Sequence, residues 1–253
     1  TWAGGLSILI ERLLTGTDVE VKTSTPIDSV RRLPNGRYQL QVTNGLVIEV
    51  DAVVLAVPAR VAADLLRPLS QNTADILKRV RYASVATIII AYPRAGVKEV
   101  HALGGTGLLV PSARGRLLKA ATFLTTKWPH LADPNYFLVR LSSGRADEQE
   151  IEKLDDAALV ARLHSDLVDA TGITAEPVQF YVQRWPAAIP QLEVGHLELV
   201  AKVREELDHY SGLMLAGSSY DGLGIAACIR SGERAAVSCL SLMGNLGFNR
   251  SLQ

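Results

Sequence analysis

The sequence predicts a mixed fold, α/β at both ends and α+β in the middle, on three observations. A continuous apolar run, Ala52 to Val57, reads as a buried strand of a parallel sheet and is followed by helical spacing. A second apolar run, Leu213–Ala216, gives way through glycines to a long helical pattern. Between them lie several runs of strand character and one clear helix, the signature of a sheet with a helix on one face. The expected domains are therefore 1–60, 61–200 and 201–253, with the middle one an insertion.

In chain order, Gly5 to Leu14 places Leu6, Leu9, Ile10, Leu13 and Leu14 at the spacing of a short amphipathic helix. The period then drops to two. Short strands are expected around Val19–Val21 and over Ile27–Leu33, then a turn at Pro34–Gly36 and a strand with Tyr38, Leu40 and Val42 on one face. Asn44-Gly45 is a hairpin signal, and "LVIEV" returns to close a small antiparallel meander. Pro58 stops the run that begins at Ala52. A helix passes through Val61, Leu65 and Leu66, and another covers Thr73 to Val80. The middle segment offers strands at Val85–Tyr92, Leu108–Val110, Leu117–Thr125, Tyr136–Leu141 and Val178–Gln183. Its helix runs from about Leu154 to Ala170, with Asp155 and Asp156 in the first turn, where the helix dipole favours negative charge. The final helix is expected from about Gly224 to Met243.

Composition narrows the function. The 253 residues suffice for one large domain or two smaller ones, and 48% hydrophobic residues support a substantial core. The 26 basic residues balance 26 acidic ones, which argues against nucleic acid as the main partner. Cys228 and Cys239 stand eleven residues apart in one expected helix, too far to bond at about 1.5 Å rise per residue. Buried thiols suit a reducing compartment, so a cytoplasmic location is expected. The sequence shows no signal peptide and no apolar run of transmembrane length. His101, His130, His164, His196 and His209 show no metal spacing, and Ser218-Ser219 lacks a nucleophile elbow and a partner base. No metal site and no catalytic dyad is expected. The opening "TWAGGLSILIERLL", with no initiator methionine and no preceding strand, suggests part of a longer protein.

The stretch "GLMLAGSSYDGLGIAACIRSGERAA", Gly212 to Ala236, carries the chemistry. Gly217, Gly222 and Gly224 let a ligand approach the backbone without Cβ clashes. The helix that begins near Gly224 aims free N–H groups and partial positive charge at the same point. A phosphate or an electron-rich ring oxygen would be stabilised there, although a plain tight strand–helix connection would use the same glycines.

As a whole, "LAGSSYDGLGIAACIRSGERAA" resembles the C-terminal flavin-binding signature of the flavin amine oxidase superfamily. More narrowly it resembles the porphyrinogen oxidases of haem synthesis, whose "AG-x-x-Y-x-G-x-G-I" runs into "C-I-x-S-G-x-x-A-A". "AGGLSILIERL" (Ala3 to Leu13), "VVLAVPA" (Val53 to Ala59), "GTGLLVP" (Gly105 to Pro111), "KAATFLTTKWPH" (Lys119 to His130) and "RWPAAIPQLEVGH" (Arg184 to His196) match in the same order. The last three separate this family from monoamine oxidases and carotenoid desaturases.

The resemblance implies a discontinuous, Rossmann-like FAD-binding domain with an inserted mixed-sheet substrate domain. The family's Gly-rich βαβ unit has no counterpart here, because Gly104–Gly107 precedes no helix, so the chain is expected to be a C-terminal portion. By resemblance, backbone groups of Ile27 would meet the adenine edge and Trp185 would pack near the flavin. Leu223, Gly224 and Ile225 would lie under the pyrimidine side of the isoalloxazine, with Ala216 and Gly217 lining the approach. Leu109 and Phe123 are candidates for an apolar wall against a tetrapyrrole, and Arg140 for a propionate. Ordinary strand packing, a core aromatic and a surface charge are the plain alternatives for these positions. The implied reaction is oxidation of coproporphyrinogen III or protoporphyrinogen IX to the porphyrin in three two-electron steps, with oxygen as acceptor and peroxide as product. Arg140 tilts the choice towards the more carboxylated substrate. Peripheral membrane contact is a further expectation, as is self-association through a half-completed sheet. The alternatives are another amine oxidase or desaturase, and a non-catalytic substrate-domain fragment that cannot hold FAD alone.

Overall fold

The computed structural model describes residues 2–97 and 104–250, with side chains through Leu242. His101 lies outside the described residues. The fold is mixed α/β and divides into two compact units, each with its own core. A split unit comprises Val21–Tyr82 and Pro190–Gln253, and a sheet unit comprises Thr1–Glu20 and Ala83–Ile189.

The first helix, α1 (Ser7–Leu14), forms where the apolar spacing predicts it but buries none of its residues. The strand expected at Val19–Val21 is absent. Both valines are exposed and no neighbouring strand is paired there, and alternation without a ladder does not make a strand. Then β1 (Ile27–Arg32), β2 (Tyr38–Val42) and β3 (Val47–Val50) form the antiparallel meander. Leu33 N–H donates to the Arg37 carbonyl at 2.8 Å across the first turn. Val42 N–H donates to Leu46 at 2.8 Å across the second, where Asn44 Oδ1 accepts from Leu46 N–H.

β4 (Val53–Leu55) is shorter than the apolar run suggests, and alternation buries Val53 and Leu55 while leaving Val54 exposed. Pro58 ends the run, and α2 (Ala59–Leu66) then buries Ala59, Ala62, Ala63, Leu65 and Leu66. Ser70 caps α3 (Gln71–Leu77) by accepting from Thr73 N–H at 3.1 Å.

β5 (Tyr82–Pro93) leads into a five-stranded sheet with β6 (Gly107–Leu109), β7 (Leu118–Phe123), β8 (Tyr136–Ser143) and β9 (Gln179–Pro190), in the order β6-β7-β8-β5-β9. The expected strand over Leu117–Thr125 ends early, because the single turn α4 (Leu124–Lys127) follows Phe123. The expected Val178–Gln183 strand instead runs on through Trp185. After the short α5 (Glu150–Lys153), α6 (Asp156–Thr171) covers one face of the sheet. Asp155 caps it by accepting from Ala158 N–H at 2.8 Å. Leu159, Leu163 and Leu167, one turn apart, pack with Ile88, Ile90 and Leu141. Asp166 is buried and accepts from Leu118 N–H at 3.0 Å, tying α6 to β7.

The chain returns to the split unit through α7 (His196–Leu207), which the sequence reading did not anticipate although His196, Val200, Val203 and Leu207 form a regular buried stripe. β10 (Leu213–Leu215) pairs in parallel with β4, Val53 opposite Leu213 and Leu55 opposite Leu215. A parallel pair needs a long crossover, and here the segment Ala83–Ile189 of the sheet unit lies within it. The short α8 (Ser218–Asp221) and the 26-residue α9 (Ile225–Arg250) complete the split unit. Among the described residues no helix is long and apolar enough to cross a membrane.

Candidate functional site

β10 delivers the chain to Ala216, which is buried and donates its N–H to the Leu55 carbonyl at 3.1 Å. Gly217, Gly222 and Gly224 then take φ of +115°, +110° and +104°, where any other residue is strained. Three consecutive side chains of α8 anchor this turn on different elements. Ser219 Oγ lies 2.8 Å from the Tyr82 hydroxyl, which accepts from Ala59 N–H at the start of α2. Tyr220 is buried and donates to the Val57 carbonyl at 3.1 Å, and burial pushes its phenol well above the usual range. Asp221 accepts from Arg204 Nη2 at 2.8 Å, from Arg234 Nη2 at 2.6 Å and from the Ser231 hydroxyl. Burial by itself would raise the Asp221 pKa. The hydrogen bonds from Ser231 and Arg204 and the two guanidinium charges outweigh it and hold the carboxyl below its ordinary value.

Beyond these anchors the backbone is left open. Leu223, Gly224 and Ile225 are exposed, and a Cβ added at Gly217 or Gly224 would meet no atom within 4 Å. Cys228 N–H closes on the Gly224 carbonyl at 3.1 Å, so the amides of the first turn of α9 precede the helical ladder. A cavity of about 810 Å³ borders the turn, lined by Gly222, Asp221, Tyr220 and the start of α7. Open space over two glycines, aliphatic side chains at Leu223 and Ile225 and a helix N-terminus fit a flat ring with an electron-rich edge. Ile27, in the same unit, is half-buried opposite Val42, where the ladder slips by one residue before Ser29.

The remaining expected residues belong to the sheet unit. The register sets Arg140 between Thr122 and Ile89, and Leu109 beside Ala120 and Ser142. Alternation therefore puts Leu109 and Arg140 on the face opposite α6. Leu109 is 83% exposed, and Arg140 Nη2 reaches Thr122 Oγ1 at 3.4 Å. Phe123 points the other way, 2% exposed, with its ring 5.7 Å from that of Phe137. On β9, Val182 packs on the core, and Arg184 donates to the carbonyls of Ile151 and Leu154 and to Asp156. Trp185, 50% exposed, accordingly alternates onto the face that carries Leu109 and Arg140.

Sequence reasoning missed the contacts among Arg204, Asp221, Ser231 and Arg234. Tyr220, Asp221 and Ser231 stand inside the quoted motifs, but a motif does not say which side chains meet.

The profile of the family described as Flavin containing amine oxidoreductase matches residues 1–240. The chain belongs to this family. FAD, the cofactor expected from the sequence, is a flavin, as the family description requires. Among curated relatives, the coproporphyrinogen III oxidase of Bacillus subtilis (strain 168) is 31% identical over 81% of this chain and 43% of its own length. The chloroplastic protoporphyrinogen oxidase 1 of Arabidopsis thaliana is 28% identical over 96% of this chain and 48% of its own. The crystal structure of a candidate protoporphyrinogen oxidase from Exiguobacterium sp. 255-15 superposes with a TM-score of 0.79 at 29% identity, covering 95% of this chain and 50% of that one. Reduced UDP-galactopyranose mutase, at 16% identity and a TM-score of 0.63, shares the fold. The chain spans about half the length of the curated relatives it matches.

Proposed function

We propose that the chain is part of an FAD-dependent porphyrinogen oxidase of haem biosynthesis, in which the split unit holds the ring end of the flavin and the sheet unit carries the substrate face. The observation that carries this reading is the anchored glycine turn at the head of α9, open above Gly217 and Gly224. The names of the relatives support the substrate class.

The flavin, when bound, would supply the two-electron acceptor, with oxygen as the terminal oxidant. The chain's own residues do the rest. Gly224 and the first amides of α9 present donors and positive potential to the electron-rich edge of the ring. Leu223 and Ile225 exclude water beneath it, and Ala216 with Gly217 bounds the approach. Ile27, beside the slipped register, offers backbone groups to an adenine edge. On the sheet face, Leu109 gives a flat tetrapyrrole an apolar surface and Arg140 offers a guanidinium to a propionate; Trp185, expected beside the flavin, alternates onto this same face and is assigned to the substrate instead. Phe123, turned into the core, is left out of this wall. No side-chain acid or base is invoked, because positioning against the acceptor and exclusion of water carry such an oxidation. A cytoplasmic location belongs to the same proposal.

The test is the full-length protein supplied with FAD, oxygen and either coproporphyrinogen III or protoporphyrinogen IX, followed by porphyrin fluorescence. Flavin-dependent porphyrin formation is expected, faster from coproporphyrinogen III if Arg140 reads a propionate. Oxidation of a simple amine with neither porphyrinogen consumed would move the protein elsewhere in the family.

A further inference from the structure

A turn with three glycines at positive φ gains little rigidity from its own backbone, so its shape has to be imposed from outside. One line of polar contacts does this at both ends of the turn. Gly217 N–H donates to Ser231 Oγ at 2.8 Å, and the Ser231 hydroxyl donates to Asp221 Oδ2. Asp221 Oδ1 accepts from Arg204 on α7 and Arg234 on α9. Ser231 is 1% exposed and the Asp221 side chain 8%, so water does not substitute freely for a lost partner. Arg204 and Asp221 also line two cavities of the split unit, of about 810 and 670 Å³. The ion pair is thus part of the wall beside Gly222. Gly217 at one end, Asp221 just before Gly222, and Ser231 two turns into α9 are fixed to one another by this line.

We propose that Asp221, acting through Ser231, is the positioning residue of the flavin-facing turn: it holds Gly217 N–H and the head of α9 in register so that Gly222–Gly224 meets the cofactor preformed. The inference rests on the flavin reading above. None of these side chains needs to touch the flavin. They determine where the backbone that does so stands.

The experiment uses the full-length protein and three variants, Asp221→Asn, Ser231→Ala and Ser231→Thr. Two quantities are read: amide hydrogen exchange over residues 217–228 without flavin, and the FAD dissociation constant. Asp221→Asn and Ser231→Ala are each expected to speed exchange of the Gly217 amide and to weaken FAD by about tenfold to a hundredfold, the scale of a lost hydrogen bond to a charged group. Ser231→Thr, which keeps the hydroxyl, is expected to restore both. Should Asp221→Asn, which removes the buried carboxylate that two half-exposed guanidiniums share, fail to fold, Ser231→Ala keeps both ion pairs and still breaks the line. Unchanged exchange and unchanged FAD affinity in Ser231→Ala would overturn the inference while the flavin reading stands. A wild-type protein that binds no FAD would overturn both.

Discussion

The glycine turn of the split unit and the open face of the sheet unit are built in opposite ways. The turn presents its backbone, and the side chains of Ser219, Tyr220 and Asp221 are all committed to holding it. The sheet face presents side chains. Leu109 and Trp185 stand half or more in solvent, and Arg140 reaches Thr122 by a long hydrogen bond. A site fixed before its ligand arrives suits a cofactor that stays in one place, because the ordering entropy is spent on folding. Under the proposed function, a surface of loosely held apolar and charged groups suits a substrate that binds and leaves at each turnover. Damage to the turn should then appear as lost flavin, and damage to the face as altered substrate kinetics.

The largest effect is expected at Gly224. Valine there cannot hold φ of +104° without strain of about 1–3 kcal/mol, and nothing crowds the new Cβ, so the strain falls on the head of α9. Gly224→Val should weaken FAD by roughly tenfold or more in a fluorescence-quenching titration, and an unchanged constant would break the contrast between the two regions. Next comes Trp185→Ala, expected to raise the KM for the porphyrinogen about tenfold while the FAD constant stays put and stability moves by roughly 0.5 kcal/mol or less, as for other exposed sites. Loss of flavin in that variant would put Trp185 with the cofactor. Tyr220→Phe removes the bond to the Val57 carbonyl and should lower stability by about 1 kcal/mol in a denaturant titration. Arg140→Gln should shift the ratio of kcat/KM between coproporphyrinogen III and protoporphyrinogen IX by no more than about fivefold, the ceiling for an exposed pair. The smallest effect concerns acid. The Asp221 pKa is depressed in the fold, so its contribution to stability is complete above the unfolded value near 4 and disappears as the pH falls through the lower folded value. Below about pH 4 the wild type should lose an increment of stability that Asp221→Asn does not show.

Much of the fold was legible because the relevant signals are local. Tyr38, Leu40 and Val42 alternate, Asn44-Gly45 turns the hairpin, and Leu159, Leu163 and Leu167 repeat at one helical turn. Val19 and Val21 alternate as well, but a strand needs a neighbour and none is paired there. The stripe on α7 is equally local, but Glu198, Lys202, Arg204, Glu205 and Glu206 stand among its four buried positions and dilute the apolar signal. The glycines of the site were legible as glycines. The line from Gly217 through Ser231 to Asp221 was not, since spacings of 14 and 10 residues acquire meaning only when α8 folds back on α9. The division of Leu109 and Arg140 from Phe123 follows from strand register, which the sequence leaves open until the pairing is known.

The most direct test of the central claim is amide hydrogen exchange on the full-length protein with and without FAD. The account predicts slowed exchange from Gly222 to Cys228 when FAD binds. Bound FAD, verified by its absorbance, with exchange in that segment unaltered would contradict it and place the cofactor elsewhere.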